Sequence, residues 1–283
     1  MTGQSGHGGR PEGGPGERTA GAPSGDRRMS SDAGTARRVA LVTGASRGIG
    51  AATARVLGQG GWAVAVNYLR GEAEAASVVR DVTARGGAAA AVQADVTDTA
   101  AVLAMVNQVE RELGPVDVLI CNAPGVSDPA FGALLDVTSE AIEAIVLAQL
   151  RAVLIPARAV LPAMMARRRG SLVVVSSQLA RSPKPGCSAL SMAKGAVEAA
   201  ARAMAVEFGP HGVRVNTVAP GPTLTDAAAW ASPGVRHAWA DRAPLRRNAL
   251  ADDVAETVAF LATDAARFVT GGHLAADGGV VMP

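Results

Sequence analysis

The sequence is poor in several residue types that usually carry special chemistry. Among 283 residues there are two cysteines, Cys121 and Cys187, one tyrosine, and only two lysines, Lys184 and Lys194. Two cysteines cannot build a disulfide framework, and we see no signal-peptide pattern ahead of them. Aromatic residues make up 3% of the chain, so the core must be built from Ala, Val and Leu. We expect a cytoplasmic protein with reduced thiols.

The sequence also lacks a large excess of charge and long apolar runs. Its formal net charge is +2, with both signs interspersed, which argues against a nucleic-acid-binding protein or a polybasic membrane ligand. By inspection, no apolar run approaches the roughly 18 residues that a membrane-spanning helix needs. We therefore predict no nucleic acid and no membrane among its partners, and no metal site.

Residues 1–36 differ in composition from the rest of the chain. They are rich in Gly, Pro, Ser and Arg and contain almost no large apolar residues. Such a segment cannot bury enough surface to offset the entropy lost on ordering, so we predict a disordered tail. The sequence leaves open whether this tail binds a partner, is a passive extension, or results from a start codon placed upstream of Met29.

From residue 37 to residue 283, short apolar runs alternate with helical stretches. Strands are predicted at 38–43, 62–67, 88–94, 116–122, 171–177, 213–219 and 273–279. Helices are predicted at 48–59, 72–85, 99–113, 138–168, 188–208 and 251–263. Strands that are apolar on both faces and alternate with helices imply a parallel sheet covered on both sides. The predicted fold class is α/β: a single-domain, Rossmann-type doubly wound parallel sheet of about seven strands.

The first predicted strand runs directly into the turn TGASRGIG, which contains Gly44, Gly48 and Gly50. A strand that turns here into a helix can bring its backbone close to a pyrophosphate and aim free helix N–H groups at it. Glycine permits this approach because a Cβ would collide with the phosphates. The spacing G-x-x-x-G-x-G differs from the common dinucleotide fingerprint, and a glycine-rich turn alone is also typical of a tight strand–helix corner.

Further motifs follow the glycine turn in a fixed order: ADVTD, CNAPG, VVVSS, AKGAVEA, GVRVNTVAPG and VTGGHLAADGG. Together they resemble the short-chain dehydrogenase/reductase family over residues 38–283, and most closely its 3-oxoacyl-acyl-carrier-protein reductases and polyketide-tailoring reductases. The resemblance implies an NAD(P)H-dependent oxidoreductase that forms a homodimer or homotetramer. The residues assigned to the cofactor are Gly44, Ser46, Arg47, Gly48, Ile49, Gly50, Asn67, Tyr68, Arg70, Asp95, Val96, Asn122, Lys194, Pro220, Gly221 and Thr225.

Charge at the end of the second strand indicates which dinucleotide is used. In dinucleotide-binding folds, an acidic residue about 20 positions after the glycines binds the ribose hydroxyls of NAD. Here the second strand ends at Asn67, and Tyr68 and Arg70 follow without a carboxylate in reach. Arg47, inside the glycine turn, is placed to pair with a 2′-phosphate. NADP(H) is the predicted cofactor; the alternative is that both arginines are ordinary solvated cations.

The loop after the fourth strand departs from the family pattern. Where the family usually has Asn-Asn-Ala-Gly, this chain has Cys-Asn-Ala-Pro ending at Pro124, and Gly125 is displaced by one position. Proline removes a backbone donor and fixes φ. We therefore predict a reshaped loop over the nicotinamide and a reshaped substrate pocket.

The family's catalytic residues are a serine that polarises the carbonyl, a tyrosine that gives the proton, a lysine that binds the ribose and lowers the pKa of the tyrosine, and an asparagine that holds a relay water. By position within the motifs, Ser177 and Lys194 match this set. Leu190 stands at the tyrosine position and Gln149 at the asparagine position. Since the chain's one tyrosine is Tyr68, no local shift of register restores the phenol. A leucine has no proton to give.

Proton delivery, worth about 10²–10⁴-fold in rate, must then come from another group. The candidates are Ser177, a water bound by Ser177 or Gln149, Asp128, and a phenol or enol of the substrate. Ser188 and Ser191 flank the gap but are weakly acidic. We predict an atypical NADPH-dependent reductase of a ketone or enone in secondary-metabolite, polyketide-type biosynthesis. The alternatives are an enoyl- or dienoyl-thioester reductase and a non-redox NADP(H)-binding cyclase, isomerase or pseudoenzyme.

Three features lie around the predicted active site. Trp230 and Trp239 fall in the loop 222–250, where they either cover a planar substrate or pack a short helix. The resemblance implies that the apolar faces of helices 138–168 and 188–208 build a dimer interface. The histidines after the catalytic helix are interpreted as surface or loop residues: His211, His237 and His273.

Overall fold

The computed structural model describes residues 37–126 and 131–282, so the predicted tail 1–36 and the candidate acid Asp128 lie outside the described residues. The strands are β1 Val39–Val42, β2 Ala63–Tyr68, β3 Ala88–Gln93, β4 Val116–Cys121, β5 Gly170–Val175, β6 Val213–Pro220, β7 Thr223–Leu224, β8 Ala249–Leu250 and β9 His273–Ala276. The helices are α1 Gly48–Gln59, α2 Glu72–Thr83, α3 Thr99–Glu112, α4 Ser139–Ala166, α5 Ser188–Phe208, α6 Pro233–Arg242 and α7 Ala251–Ala262.

Seven of these strands form one parallel sheet in the order β3-β2-β1-β4-β5-β6-β9. The chain builds outward from β1 to β3, returns to place β4 on the other side of β1, and continues from there. The carboxyl ends of β1 and β4 therefore flank the point where the strand order reverses, which is where open α/β sheets bind their ligands. The predicted α/β class and doubly wound parallel sheet are confirmed.

The sheet is covered on both faces by helices, and this explains why its strands are apolar throughout. Along β1, the side chains of Val39 and Leu41 join the core layer that includes α3, α4 and α5. Those of Ala40 and Val42 join the opposite layer, built with α1, α2 and α7. Because successive side chains of a strand point to opposite faces, a sheet covered on both sides favours apolar residues at most positions, and its polar exceptions, such as Asn67 and Asp117, are buried.

Helix α4 is apolar enough that its length and composition alone would suit a membrane crossing. An 18-residue window of this helix has a mean hydropathy of 1.8, and 44% of that window is buried inside the protein. The apolar residues do not form one uninterrupted run, because Arg151 and Arg158 divide the helix. In the fold, however, Val153, Val160 and Met164 of α4 belong to the core layer under the sheet, and a soluble core helix passes the same test.

The segment predicted as a loop at 222–250 contains regular structure. Its first part pairs with its end through the short parallel strands β7 and β8. Between them lies α6, whose N-terminus is capped by the side chain of Ser232, which accepts a hydrogen bond from the Val235 amide (3.4 Å). Proline at the first helical position, Pro233, suits a helix start because its missing N–H would have no partner there.

The central strand should dominate stability. Leu119 on β4 is fully buried, whereas Leu103 on α3 is 49% exposed. We expect Leu119→Ala to lower the free energy of unfolding by about 2–5 kcal/mol, because it leaves a cavity in a closely packed sheet. Leu103→Ala, the matched control, should change it by less than about 1 kcal/mol. Denaturant unfolding of both variants measures the difference, and equal losses would contradict this assignment of the core.

Candidate cofactor and active site

The turn between β1 and α1 has the backbone geometry that only glycine adopts easily. Gly44 and Gly48 have φ values of 61° and 56°. A Cβ at Gly50 would fall on the carbonyl oxygen of Gly44 and 2.6 Å from Nδ2 of Asn122. The N-cap of α1, Arg47, makes no side-chain capping hydrogen bond. The first-turn N–H groups of α1 are therefore not occupied by a side-chain cap, which suits an anion at this helix N-terminus.

A compact set of hydrogen bonds fixes this turn to the end of β4. Nδ2 of Asn122 donates to the carbonyl oxygens of Thr43 and Gly44, each at 3.0 Å. Oγ1 of Thr43 accepts from the amides of Asn122 (3.0 Å) and Ala123 (3.1 Å), and donates to the carbonyl oxygen of Ile120 (3.1 Å). The side chain predicted to lie along the cofactor is thus itself bound to the glycine turn.

Asn67 connects the same turn to the neighbouring strands. Its Oδ1 accepts from the amide of Gly44 (3.1 Å), and its Nδ2 donates to the carbonyl oxygens of Val92 (3.3 Å) and Ala94 (3.1 Å). Although Asn67 also borders the cleft described below, it is almost completely buried and its side-chain hydrogen bonds are internal. Its main structural effect is to hold the glycine turn against β2 and β3.

Tyr68 does not reach this region with its side chain. It follows Asn67 on β2 and therefore points to the opposite face of the sheet, where it packs in the core layer with Ala75 and Val78 of α2. Its assignment to the cofactor is corrected on this ground. The sequence placed two consecutive strand residues at one site, which the alternation of side chains along a strand does not allow.

Two adjoining cavities of about 750 and 690 Å³ form a cleft over the carboxyl ends of the strands. They share Gly44, Arg47 and Pro124 as lining residues, so the predicted loop departure at Pro124 lies in the middle of the cleft. Of the predicted cofactor residues, all but Gly50 and Tyr68 line one cavity or the other. These lining residues are Gly44, Ser46, Arg47, Gly48, Ile49, Asn67, Arg70, Asp95, Val96, Asn122, Lys194, Pro220, Gly221 and Thr225.

The larger cavity carries two exposed cations at one end. Arg47 and Arg70 both line it, and Oγ of Ser46 lies 3.5 Å from the carbonyl oxygen of Arg70, which brings the two loops together. Asp95 is the one acidic residue among the described lining residues of this cavity. Its Oδ1 accepts hydrogen bonds from the amide (2.8 Å) and hydroxyl (2.7 Å) of Thr97. This end is suited to a phosphate group.

The smaller cavity brings Ser177 and Lys194 together with the glycine turn. Oγ of Ser177 accepts from the amide of Leu179 (3.2 Å), so the hydroxyl proton can still be donated into the cavity. Nζ of Lys194 donates to the carbonyl oxygen of Val175 at the end of β5 (3.1 Å). Burial lowers the pKa of Lys194 to about 8, and the negative charge of Glu198 opposes this shift.

Leu190 and Gln149 are the two departures from the family's catalytic set. Unlike Ser177 and Lys194, they do not line the smaller cavity. Leu190 lies one helical turn before Lys194 on α5, and it is not among the described residues that line the cleft. Gln149 is buried on α4 with 3% of its surface exposed, and it does not line the described cleft either. The hydroxyls of Ser188 and Ser191, on either side of Leu190, are buried without a hydrogen-bond partner among the described residues.

Motif reasoning missed part of the wall of the smaller cavity. Thr223 and Asp226, which follow the APG motif, line it together with Trp239 of α6. The ring of Trp239 meets the ring of Trp230 edge to face, with centroids 5.7 Å apart and planes at 81°. Trp230 itself is 69% exposed. Trp239 lies on the short helix α6 and borders the cavity, and whether it covers a planar substrate stays a prediction.

Comparisons with known proteins agree with this geometry. A family model described as enoyl-(acyl carrier protein) reductase matches residues 44–281. A cis-4-hydroxycyclohexanecarboxylate dehydrogenase from Sinomonas cyclohexanicum is 40% identical over 245 residues, covering 86% of this chain and 96% of the relative. A 3-oxoacyl-[acyl-carrier-protein] reductase from Staphylococcus aureus is 34% identical over 243 residues, covering 86% of this chain and 98% of the relative.

A solved structure is similar over the same region. It is that of an assigned gluconate dehydrogenase from Agrobacterium tumefaciens, with a TM-score of 0.81, 26% identity, and coverage of 87% of this chain and 97% of that chain. The doubly wound sheet and its cleft define an oxidoreductase of the dinucleotide-binding α/β class. The chain belongs to the short-chain dehydrogenase/reductase family and is an NAD(P)H-dependent oxidoreductase.

The residues present fit this cofactor. A Cβ at Gly50 would collide with the backbone of the turn. The glycine therefore lets the turn pack closely against the first residues of α1, as a pyrophosphate site at this helix N-terminus requires. Asp95 and Val96 line the larger cavity, and Lys194, Pro220 and Thr225 line the smaller one. A dinucleotide that spans both cavities would meet all of these groups.

Two helical glycines give a direct test of the glycine turn. We expect Gly50→Ala to weaken NADPH binding at least about 100-fold, because the added Cβ must displace the Gly44 carbonyl and the Asn122 amide. Gly195→Ala on α5 is the control, since a Cβ there meets nothing within 4 Å. It should keep the affinity and raise the free energy of unfolding by up to about 1 kcal/mol. Fluorescence titration with NADPH checks both, and normal binding by Gly50→Ala would refute the assignment.

Proposed function

We propose that the protein is an NADPH-dependent reductase of a ketone or enone that works without a tyrosine acid, in secondary-metabolite biosynthesis of the polyketide type. One observation carries the proposal. Ser177 and Lys194 line one cavity with the glycine turn, while Leu190 occupies the helical turn before the lysine. The machinery for binding the cofactor and polarising a carbonyl is therefore retained, and the usual proton donor is missing.

NADP(H) is proposed over NAD(H) because of the charges in the larger cavity. Arg47 and Arg70 line its walls, and Asn67 stands at the end of β2 where an NAD-specific carboxylate would be expected. A 2′-phosphate carries about two negative charges, and an arginine guanidinium pairs with it through charge-assisted hydrogen bonds.

Lys194 and Ser177, which line the smaller cavity, each have a definable task in carbonyl reduction. Bound NADPH would supply the hydride. Lys194 is placed to hold the ribose of the cofactor, and its Nζ is oriented by the carbonyl of Val175. Ser177 keeps a free hydroxyl proton with which to hydrogen-bond a carbonyl oxygen of the substrate. The proton that the oxygen or carbon finally needs would come from water, from Ser177 or from an acidic group of the substrate.

An enoyl- or dienoyl-thioester reductase is the second candidate. Reduction of a conjugated C=C bond ends in protonation of carbon, so a phenol at the carbonyl oxygen is less necessary. The description of the matching family model, enoyl-(acyl carrier protein) reductase, favours this candidate. The third candidate is a non-redox NADP(H)-binding cyclase, isomerase or pseudoenzyme, which would keep the cofactor site without turnover.

We also propose a cytoplasmic homodimer or homotetramer without nucleic-acid or membrane partners. The long helices α4 and α5 carry exposed apolar side chains, Leu147 at 58% and Val206 at 80% exposure. Exposed apolar side chains of this size are compatible with an interface between copies of the chain. The domain limits, a tail at 1–36 and a catalytic domain at 37–283, remain part of the same proposal.

Activity measurements on variants test the roles of the retained residues Ser177 and Lys194 and of Leu190 at the tyrosine position. With NADPH and a panel of polyketide ketones, enones and enoyl thioesters, we expect loss of nicotinamide absorbance. Lys194→Ala should abolish it and Ser177→Ala should lower it about 10²-fold or more if serine polarises the substrate. Leu190→Tyr should raise simple ketone reduction. No consumption with any substrate, together with normal NADPH binding, would instead favour the non-redox alternative.

The nucleotide preference is tested at Arg47. Arg47→Ala should weaken NADPH binding about 10- to 100-fold, because a charge-assisted hydrogen bond contributes about 1.5–3 kcal/mol, while NADH binding should barely change. Arg85→Ala is the control, since Arg85 is exposed in the turn after α2 and does not line the described cleft. Calorimetric titration with both dinucleotides provides the comparison. Equal losses for NADPH and NADH would argue against a 2′-phosphate contact.

A further inference from the structure

A buried carboxylate lies directly behind the smaller cavity. Glu198 sits one turn after Lys194 on α5 and is only 4% exposed. Oγ of Ser176 donates to its Oε1 (2.9 Å), and Nε of Arg181 donates to its Oε2 (3.2 Å). Nδ1 of His273 on β9 lies 3.3 Å from Oε1. The interpretation of His273 as a surface or loop histidine was therefore wrong, because it is a strand residue that contacts this carboxylate.

The carboxylate of Glu198 is hydrogen-bonded and ion-paired although it is buried. Burying an ionised carboxylate is costly unless it is paired and hydrogen-bonded, and here both oxygens have partners. Arg181 and Arg202 approach it from the surface, with side chains 46% and 56% exposed and nitrogen–oxygen distances of 3.2 and 3.9 Å. The charge is thus held in place from several elements, next to the cavity that the proposed function uses.

The two hydrogen-bond donors to Glu198 bracket the turn that carries Ser177. Ser176 immediately precedes Ser177, and Arg181 directly follows the 3₁₀ turn Gln178–Ala180. Within that turn, Oγ of Ser177 accepts from the amide of Leu179. Glu198 therefore fixes both ends of the Ser177 turn to the helix that carries Lys194.

Glu198 also acts on Lys194 through its charge. Burial disfavours the ammonium form of Lys194, and the carboxylate of Glu198 is the group that opposes this effect. The other charged or titratable groups around Glu198 come from three elements: Arg202 of α5, Arg181 after the 3₁₀ turn, and His273 of β9 with Asp277 just beyond it. The buried face of α4 and the end of β5 contribute no charged side chain among the described residues.

We propose that Glu198 is a positioning residue of the active site: it sets the placement of Ser177 relative to Lys194 and keeps Lys194 in the cationic form that binds the dinucleotide. This rests on the proposed cofactor-binding role of Lys194. In family members with a tyrosine acid, the lysine has a phenol beside it. Here Leu190 stands at the position of that phenol, and Glu198, one turn after Lys194 on α5, is the acidic group whose charge favours the cationic form of Lys194.

The scarcity of lysine makes a direct test possible. Protein labelled with ¹³C at the lysine ε-carbon should give two resonances, one from Lys184 and one from Lys194, which Lys184→Arg assigns. A titration then follows the pKa of Lys194 without any cofactor. Glu198→Gln keeps the shape of the side chain and removes its charge, so the pKa of Lys194 should fall by about one unit or more below its value of about 8. Lys184 is the internal control and should not move.

The same shift predicts how NADPH binding depends on pH. The cation is lost as pH rises through the pKa of Lys194, so affinity should decline above about pH 8 in the native protein. In Glu198→Gln the decline should begin about one unit lower, giving roughly tenfold weaker binding near pH 8 and little change near pH 6.5. Burial lowers the pKa of His273 below its usual range, which keeps its titration out of this window.

Hydrogen exchange tests the first part of the proposal, that Glu198 sets the placement of Ser177. Glu198→Gln and Ser176→Ala should each speed hydrogen exchange of the amides at 179–182 about tenfold, because a hydrogen bond that holds the Ser177 turn to α5 is weakened or lost. Ser176→Ala should leave the pKa of Lys194 unchanged. Arg202→Gln, which removes the long exposed ion pair, should alter neither property.

The outcomes separate the two proposals. An unchanged Lys194 pKa and unchanged exchange in Glu198→Gln overturn the inference, whatever the protein binds. A uniform loss of NADPH affinity at every pH, with a lowered melting temperature and no pKa change, also overturns it, since that indicates a structural role alone. Failure of the native protein to bind NADPH, with the Lys194 pKa and the amide exchange shifted as expected, overturns the proposed function and the dinucleotide-binding part of the inference, and leaves only the placement of Ser177 and the charge effect on Lys194.

Discussion

The cleft depends on the hydrogen bonds that join Thr43 to Asn122 across the ends of β1 and β4. A turn rich in glycine has many accessible conformations, and ordering it costs more entropy than ordering other residues. The side-chain amide of Asn122 donates to two carbonyl oxygens at the turn, those of Thr43 and Gly44, and the hydroxyl of Thr43 binds one carbonyl oxygen and two amides at the end of β4, so that one conformation is selected. These contacts lie where the strand order reverses, which is where open α/β sheets bind their ligands.

The fold could be predicted from the sequence because a sheet buried on both faces produces uninterrupted apolar runs. Every predicted strand of the main sheet is present, with ends that differ by a few residues, as at β5, which ends at Val175. Helix α6 had no such pattern, since it buries none of its side chains completely. The error at Tyr68 has another cause: motif spacing locates a residue along the strand but ignores which face its side chain occupies.

Some residues of the candidate site could be predicted from the sequence and others could not. Residues that touch the cofactor cleft through local motifs, such as Arg47, Ser177 and Lys194, could be placed from order and spacing alone. The contact of Glu198 with His273 could not, because it joins a helix to a distant strand of the sheet, and neither residue stands in a local pattern that demands a partner. Sequence reasoning therefore found most of the groups that face the cleft, but it missed Thr223 and Asp226 in the wall and the buried charge of Glu198 behind it.

Under the proposed function, the leucine at position 190 changes what the lysine does. A lysine next to a phenol both binds the ribose and makes the phenol a better acid, and these two tasks require the cationic form. Without the phenol only the first task remains, yet burial still works against the charge on Lys194. The carboxylate of Glu198, held in the core by Ser176 and Arg181, opposes this effect of burial. In the proposed function, Glu198 thereby preserves cofactor binding by Lys194, and the proton comes from the substrate or from water.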